Sequence, residues 1–277
     1  MQILDETLDL NKSQEYKLSI LLKKDGLSFI ILDTKVNKIV AYKSIKIDQV
    51  DNVKEYCYFI NKVLNQEEFV KSNYLNIDII YNAFKSITVP ENFYTDDKKD
   101  EIFKLNLELL DNEKVIVNSI TNMGAKKLFA VPNCINEFIT ERFKNIRILH
   151  QTSPIIYKYL KNKETDVIVV NLHTDFFDMM VFKNKQLVLD NSFKFKTKED
   201  FLYYLLFSLE QLGLDPKEQK IQLFSDLSLA FKIINFSKKY FANIQTENHP
   251  KGYNFSYLFS KEDINKITAQ ILAFECE

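Results

Sequence analysis

Residues 166–182 read DVIVVNLHTDFFDMMVF, and the order of residue types in this stretch decides the fold. Residues 167–172 form an apolar run of strand length broken only by Asn171, and residues 176–182 form another. Between them stand His173, Thr174 and Asp175, room for no more than a tight bend. Two β-rich runs joined this way predict strand, bend and strand. Asp175 and Asp178 stand three positions apart on extended chain. Their side chains therefore leave opposite faces and do not form a carboxylate pair.

The bend contains no glycine, and glycine is scarce everywhere: Gly26, Gly124, Gly213 and Gly252 are the only four in 277 residues, against a usual share of about 7%. A loop that wraps phosphate uses consecutive glycines, so that backbone N–H groups reach the anion without Cβ interference. A composition rich in lysine, asparagine and isoleucine would deplete glycine generally. Whichever cause applies, no two glycines lie close enough to build such a cradle.

With 46% hydrophobic and 13% aromatic residues, the chain can bury a core without staples. Cys57, Cys134 and Cys276 are widely separated, odd in number and without CxxC spacing. That pattern supports neither a zinc site nor a disulfide framework, and points to a reducing compartment. A formal charge of -1, no long single-sign block, and Arg142 and Arg147 as the sole arginines argue against nucleic acid. No run approaches the roughly 20 apolar residues of a membrane helix, and no N-terminal signal is visible. The expectation is a soluble, cytoplasmic chain with no transmembrane segment. His150, His173 and His249 never occur at HxxxH spacing, so no metal is expected and each reads as a loop or strand-end residue. The motifs GxSxG and GxxxxGK[ST] are absent.

One pattern occurs twice. Residues 17–23 and 27–32 read as a hairpin turning at Lys24-Asp25-Gly26, followed by a strand at 38–47, a helix at 50–64 and a strand at 77–81. Residues 166–172 and 176–182 open the second copy. A strand at 186–195, a helix at 198–212 closed by Gly213, and a strand at 221–224 complete it. Between the copies, residues 103–108, 115–118, 128–131 and 146–149 read as strands, and 94–104 as a solvated loop. Asn133 is expected to cap a helix to 143, and Ser153-Pro154 to start one to 161. After Asp226 an apolar helix to about 240 is expected, then a strand at 243–246 and a last helix capped by Ser260 with Asp263.

This duplication, with the YKLSILLKKDGLSFIILD opening, the VPENF, KLFAVPNCINEF and HQTSP steps and the VNLHTDFFDMMVFKNKQL hairpins, resembles the actin, hexokinase and heat-shock ATPase superfamily. The chain is similar to an uncharacterised bacterial family with that fold and, more distantly, to the cell-division FtsA and pilus-assembly PilM families. The resemblance implies an α/β, duplicated ribonuclease H-like (actin-like ATPase) fold: two lobes with mixed sheets flanked by helices. Its division would be a 1–15 extension, a first lobe at 16–161 and a second at 162–277.

The superfamily's functional positions can be compared one at a time. Where its first phosphate hairpin has Asp-x-Gly followed by hydroxyl residues, this chain has Leu22 at the aspartate, Lys24 at the glycine, and Asp25-Gly26 near the hydroxyls. Where its second has Asp-Leu-Gly-Gly-Gly-Thr-Phe-Asp, this chain runs from Asn171 through His173, Thr174 and Asp175 to Asp178. Ser153-Pro154 replaces Glu-Pro, and no Gly-Gly pair exists for adenosine. Phosphoryl transfer depends on positioning and charge stabilisation, and little here would supply either. The resemblance therefore implies a degenerate cleft with no catalytic residue and no ATP or magnesium, and a non-catalytic scaffold or adaptor for another protein. An alternative is a nucleotide-binding or slow ATPase protein contacting phosphate through Lys23, Lys24 and Thr174. A third reading binds an acidic partner through Lys194, Lys196 and Lys198. The partner and the oligomeric state are not legible.

Overall fold

The computed structural model describes residues 1–277 except 48, 49, 51, 163–165, 226, 248, 249 and 277, so His249 and Asp226 lie outside the described residues. The first half runs β1 (Gln2–Leu4), β2 (Tyr16–Lys23), β3 (Gly26–Asp33), β4 (Lys38–Lys46), α1 (Val53–Gln66) and β5 (Asn76–Tyr81). An insert follows: β6 (Ser86–Pro90), α2 (Lys99–Lys104), β7 (Glu113–Ile120), β8 (Ala125–Pro132) and α3 (Asn133–Arg142). Then come β9 (Ile146–His150) and α4 (Ser153–Asn162). The second half runs β10 (Val167–Leu172), β11 (Phe176–Lys183), β12 (Gln186–Lys194), α5 (Lys198–Gln211), β13 (Lys220–Phe224), α6 (Leu227–Ser237) and β14 (Asn243–Thr246). The chain finishes with β15 (Asn254–Phe255) and α7 (Lys261–Ile271).

The two main sheets repeat one topology. The first is ordered β1-β4-β3-β2-β5-β9, with β15 beside β4; the second is β12-β11-β10-β13-β14. Without β1 and β15, each reads third, second, first, fourth, fifth strand. The hairpin strands are antiparallel, and the return strands are parallel to the first. Each hairpin also carries a register irregularity at an equivalent place, between Ile31 and Leu32 against β4 and between Val181 and Phe182 against β12.

Both sheets are covered on both faces, which is why their strands read as continuous apolar runs. Tyr56, Ile60 and Leu64 of α1, with Ile135 and Ile139 of α3, cover one face of the first sheet. Ile267 and Ile271 of α7 cover the other, over Ile30, Leu32 and Tyr42. In the second sheet, Phe201, Leu205 and Leu209 of α5 pack with Ile233 of α6 on Phe177 and Met179. Ile155, Ile156 and Tyr159 of α4 take the opposite face, on Val169 and Met180. Helices α4 and α7 thus form the layer between the sheets. Local signals set the ends. The Asn52 side chain accepts from Glu55 N at 3.0 Å, Thr197 with Asp200 and Ser260 with Asp263 form capping boxes, and Gly213 follows α5 at φ 63°.

Several expectations are corrected. Residues 103–108 are not a strand: Phe103 lies fully buried in the last turn of the short helix α2, which also takes up residues 99–104 of the expected loop. Asn133 begins α3 without capping it; its amide donates to Asp111 O. Ser153 lies inside α4, where Ile156 N donates to Thr152 O at 2.8 Å. Residues 2–4, expected in an extension, add a strand to the first sheet, and β15 and α7, expected with the second lobe, pack on that sheet too. Cys57 of α1 and Cys134 of α3 are joined as a disulfide, with Cα atoms 6.1 Å apart. No sequence spacing announces this pair, because separate helices bring it together, and the argument for a reducing compartment loses its footing.

Candidate functional site: the closed cleft between the lobes

Parallel strands of both sheets point their carboxyl ends at one cleft, where α/β proteins place ligands. Because the halves are equivalent, their hairpin tips meet across it. Thr174 Oγ1 donates to Asp25 Oδ2 at 2.8 Å, and Lys24 Nζ lies 3.2 Å from Asp175 Oδ2. The Lys24–Asp175 pair is exposed and contributes at most about 1 kcal/mol. Beneath the tips, Phe84 of the first lobe meets Phe176 edge-on at 5.4 Å, and His173 lies against Phe176 at 4.3 Å.

Behind the tips a polar cluster centres on Asp178, which is wholly buried. Strand register sets Asn171, Asp178 and Ser192 side by side on β10, β11 and β12. Asp178 accepts from Ser192 Oγ at 2.6 Å, Gln151 Nε2 at 3.2 Å, Asn171 Nδ2 at 3.2 Å and His173 Nε2 at 2.8 Å. Burial alone would raise its pKa, but His173 and the hydrogen bonds outweigh that and hold the carboxyl below its ordinary value. Asn82 of the first lobe reaches His173 Nδ1 at 3.0 Å, so the cluster also spans the lobes.

His150 ends β9 with no exposure. Its Nε2 donates to Ala83 O at 3.0 Å, and Thr152 Oγ1 donates to Nδ1 at 2.8 Å, which fits one neutral tautomer. Burial, then the Lys127 charge, holds its pKa well below the ordinary histidine value. The unfolded chain therefore binds a proton that the folded chain refuses. His150 should cost stability as pH falls below about 6.5, by up to about 1.4 kcal/mol per unit, until its folded pKa is reached. Urea unfolding between pH 7 and 5 checks this: His150→Gln should flatten the slope, and an equal slope in both proteins would contradict it.

The residues singled out from the sequence do not all converge. Lys24, Asp25, His173, Thr174 and Asp175 meet at the tips, with Asn171 behind them. Leu22 is fully buried in the first core. Gly26, at φ 148°, has packing rather than anion contact as its local role: a Cβ there would lie 2.3 Å from Ile45 O. Ser153 belongs elsewhere, donating to Asn118 Oδ1 at 2.9 Å. The cavity left in the cleft is about 70 Å3, bordered by Lys23, Asn82, His173 and Gln270, well short of the roughly 300 Å3 at which ligand pockets begin. Asn82, Gln151 and Ser192 escaped sequence reading, and Asp178 was read there only as the unaltered end of the second hairpin pattern. Their signal was a polar residue at or just beyond a strand's carboxyl end, or facing one across the register.

The insert's three-stranded sheet, ordered β6-β8-β7, ties the lobes a second time. At one edge Asn118 Nδ2 donates to Ile148 O, and Asn118 Oδ1 accepts from His150 N, both at 2.8 Å. From the same sheet, Lys127 Nζ lies 2.7 Å from Asp190 Oδ2 of β12 with 1% and 3% exposure, and Thr88 Oγ1 donates to the same oxygen at 2.6 Å. Among the described residues no helix is long and apolar enough to cross a membrane.

Comparison with solved structures agrees with this architecture. A Bacteroides thetaiotaomicron VPI-5482 protein with actin-like ATPase fold and unknown function is 23% identical, with a TM-score of 0.80 over 98% of this chain and 100% of that one. The PilM–PilN type IV pilus biogenesis complex gives 10% identity and a TM-score of 0.61, over 92% of this chain and 95% of that one. The ethanolamine utilization protein EutJ from Carboxydothermus hydrogenoformans gives 7% and 0.50, over 98% and 91%. At these identities the likeness shows the fold alone. No curated protein matches. Residues 5–244 match the family model described as a protein of unknown function, DUF3822, and the chain, with its actin-like fold, belongs to that family.

Proposed function

We propose that this actin-like protein is a non-catalytic scaffold or adaptor of the cytoplasm, holding its lobes at one angle and binding another protein. The observation that carries the reading is that the hairpin tips, where the superfamily holds phosphate, bond to each other through Thr174–Asp25 and Lys24–Asp175. The superfamily's usual switch opens and closes around a ligand; a cleft closed by its own side chains suits a fixed surface. The PilM–PilN complex, whose fold this chain shares, pairs such a protein with a protein partner. Neither ATP nor magnesium belongs to this reading, and in a reducing cytoplasm Cys57 and Cys134 would be held as thiols.

Thermal melting with and without Mg-ATP tests it. A ligand at 100 times its dissociation constant would add about 2.7 kcal/mol to native stability. No shift is expected, nor any change in radius of gyration by small-angle scattering. A magnesium-dependent rise would replace the scaffold with a nucleotide-binding protein using Lys23, Lys24 and Thr174.

A further inference from the structure

Helices α1 and α3 are joined by two side-chain links. Near their starts Cys57 is bonded to Cys134, and near their ends Arg142 donates through a terminal nitrogen to Asn65 Oδ1 at 2.9 Å. The links are equally spaced along both helices, so the two run side by side in one direction over the first sheet, packed on it through Ile60, Leu64, Ile135 and Ile139. The two sulfurs differ in their surroundings. Cys57 is half-buried, whereas Cys134 is exposed in the first turn of α3. A small reagent therefore reaches one sulfur of the pair, and the positive end of a helix favours a thiolate there. Cys276 is different: burial pushes its thiol up to about 12.

We propose that Cys57 and Cys134 are a reversible redox site whose co-substrate is a low-molecular-weight disulfide of the glutathione class. The inference rests on the scaffold reading and gives that scaffold a regulator. From the dithiol state, Cys134 loses its proton and its sulfur attacks one sulfur of the small disulfide. A mixed disulfide forms, and one small thiolate leaves and takes up a proton. The Cys57 thiol then loses its proton, and its sulfur attacks the Cys134 sulfur, closing the protein bond and releasing the second small thiol. Two protein thiols are oxidised and one external disulfide is reduced, and both steps reverse when the small thiol is in excess. Cα atoms 6.1 Å apart suit both states, since at that spacing a bond closes without moving the backbone. Exposed disulfides are the ones that exchange, whereas shielded structural ones resist. The hold on the insert is what changes. With the pair open, α3 keeps its bond to Asn65 and its apolar contacts; with the pair closed, the insert is fixed to the first lobe at α3 as Lys127 fixes it to the second.

The test equilibrates the folded full-length protein in buffers of reduced and oxidised glutathione at varied ratio, quenches with acid and labels the free thiols. Cys57 and Cys134 are expected to open and close together within the range of ratios, with Cys276 a free thiol throughout. Cys57→Ser should collect glutathione on Cys134, and Cys134→Ser should take it up more slowly on Cys57. Hydrogen exchange in the first turns of α3 should be faster in the reduced protein, with α5 unchanged. A pair that no ratio opens in the folded protein, or that no ratio closes, would overturn the proposal, as would Cys57 reacting as fast as Cys134. So would closure by hydrogen peroxide with none by glutathione disulfide, or equal protection of α3 in both states. The two readings fail separately. A magnesium-dependent response to ATP removes the scaffold and leaves the measured thiol exchange standing, whereas a pair inert to glutathione removes the redox site and leaves the lobes at one angle.

Discussion

Asp190→Ala should destabilise the protein by about 3–5 kcal/mol, the cost of leaving a buried charge without its partner. Lys127 is 1% exposed, and nothing but Asp190 is within ion-pair reach of its ammonium among the described residues. The same carboxylate accepts from Thr88, so the mutation also strands a hydroxyl. Lys127→Met with Asp190→Leu removes both charges, and replacing a buried pair by apolar residues is often neutral or stabilising. Urea denaturation of parent, single and double variants decides it. A single variant losing under about 1 kcal/mol would mean that water reaches the pair. Because the pair joins the insert to β12, the single variant should also speed exchange of β6 and β12 amides before global unfolding.

The second large effect concerns Cys57 and Cys134. A bond across 77 positions removes much of the unfolded chain's freedom, about 4.5 kcal/mol by chain entropy. Oxidised protein should therefore unfold at clearly higher urea than reduced protein, while Cys57→Ser with Cys134→Ser should ignore the reductant. Thiol counting under denaturing conditions gives the complementary answer: one free thiol, Cys276, in the oxidised form. Three thiols and no response to reductant would show α1 and α3 held by packing alone.

The repeated half was legible because its signals are local. Apolar runs, the Lys24-Asp25-Gly26 turn, Gly213 and the Ser260–Asp263 box each act within a few residues, so the sheets follow from them. The insert was less so. Phe103 reads as part of a β-rich run, yet it is the buried anchor of one short helix, because tertiary burial outweighed a weak local preference. The tip residues of the site could be read from an altered pattern at fixed spacing. The cluster behind them could not, since Asp178 and Gln151, or Lys127 and Asp190, are neighbours only after separate elements have packed. Cys57 and Cys134 failed to announce themselves for the same reason.

The path of the chain's last segment has a consequence in time. Ile30, Leu32, Ile39 and Tyr42 are covered by residues of α7 and the turn after it, Ile267, Ile271 and Phe274. A ribosome adding about 5–20 residues per second makes the covering segment roughly 10–50 s after the face it covers. Throughout that interval the first sheet presents an apolar face and an incompletely covered β4 to the surrounding solution. The lobe that is synthesised first is completed last, and its exposed face during synthesis is a natural landing place for a chaperone.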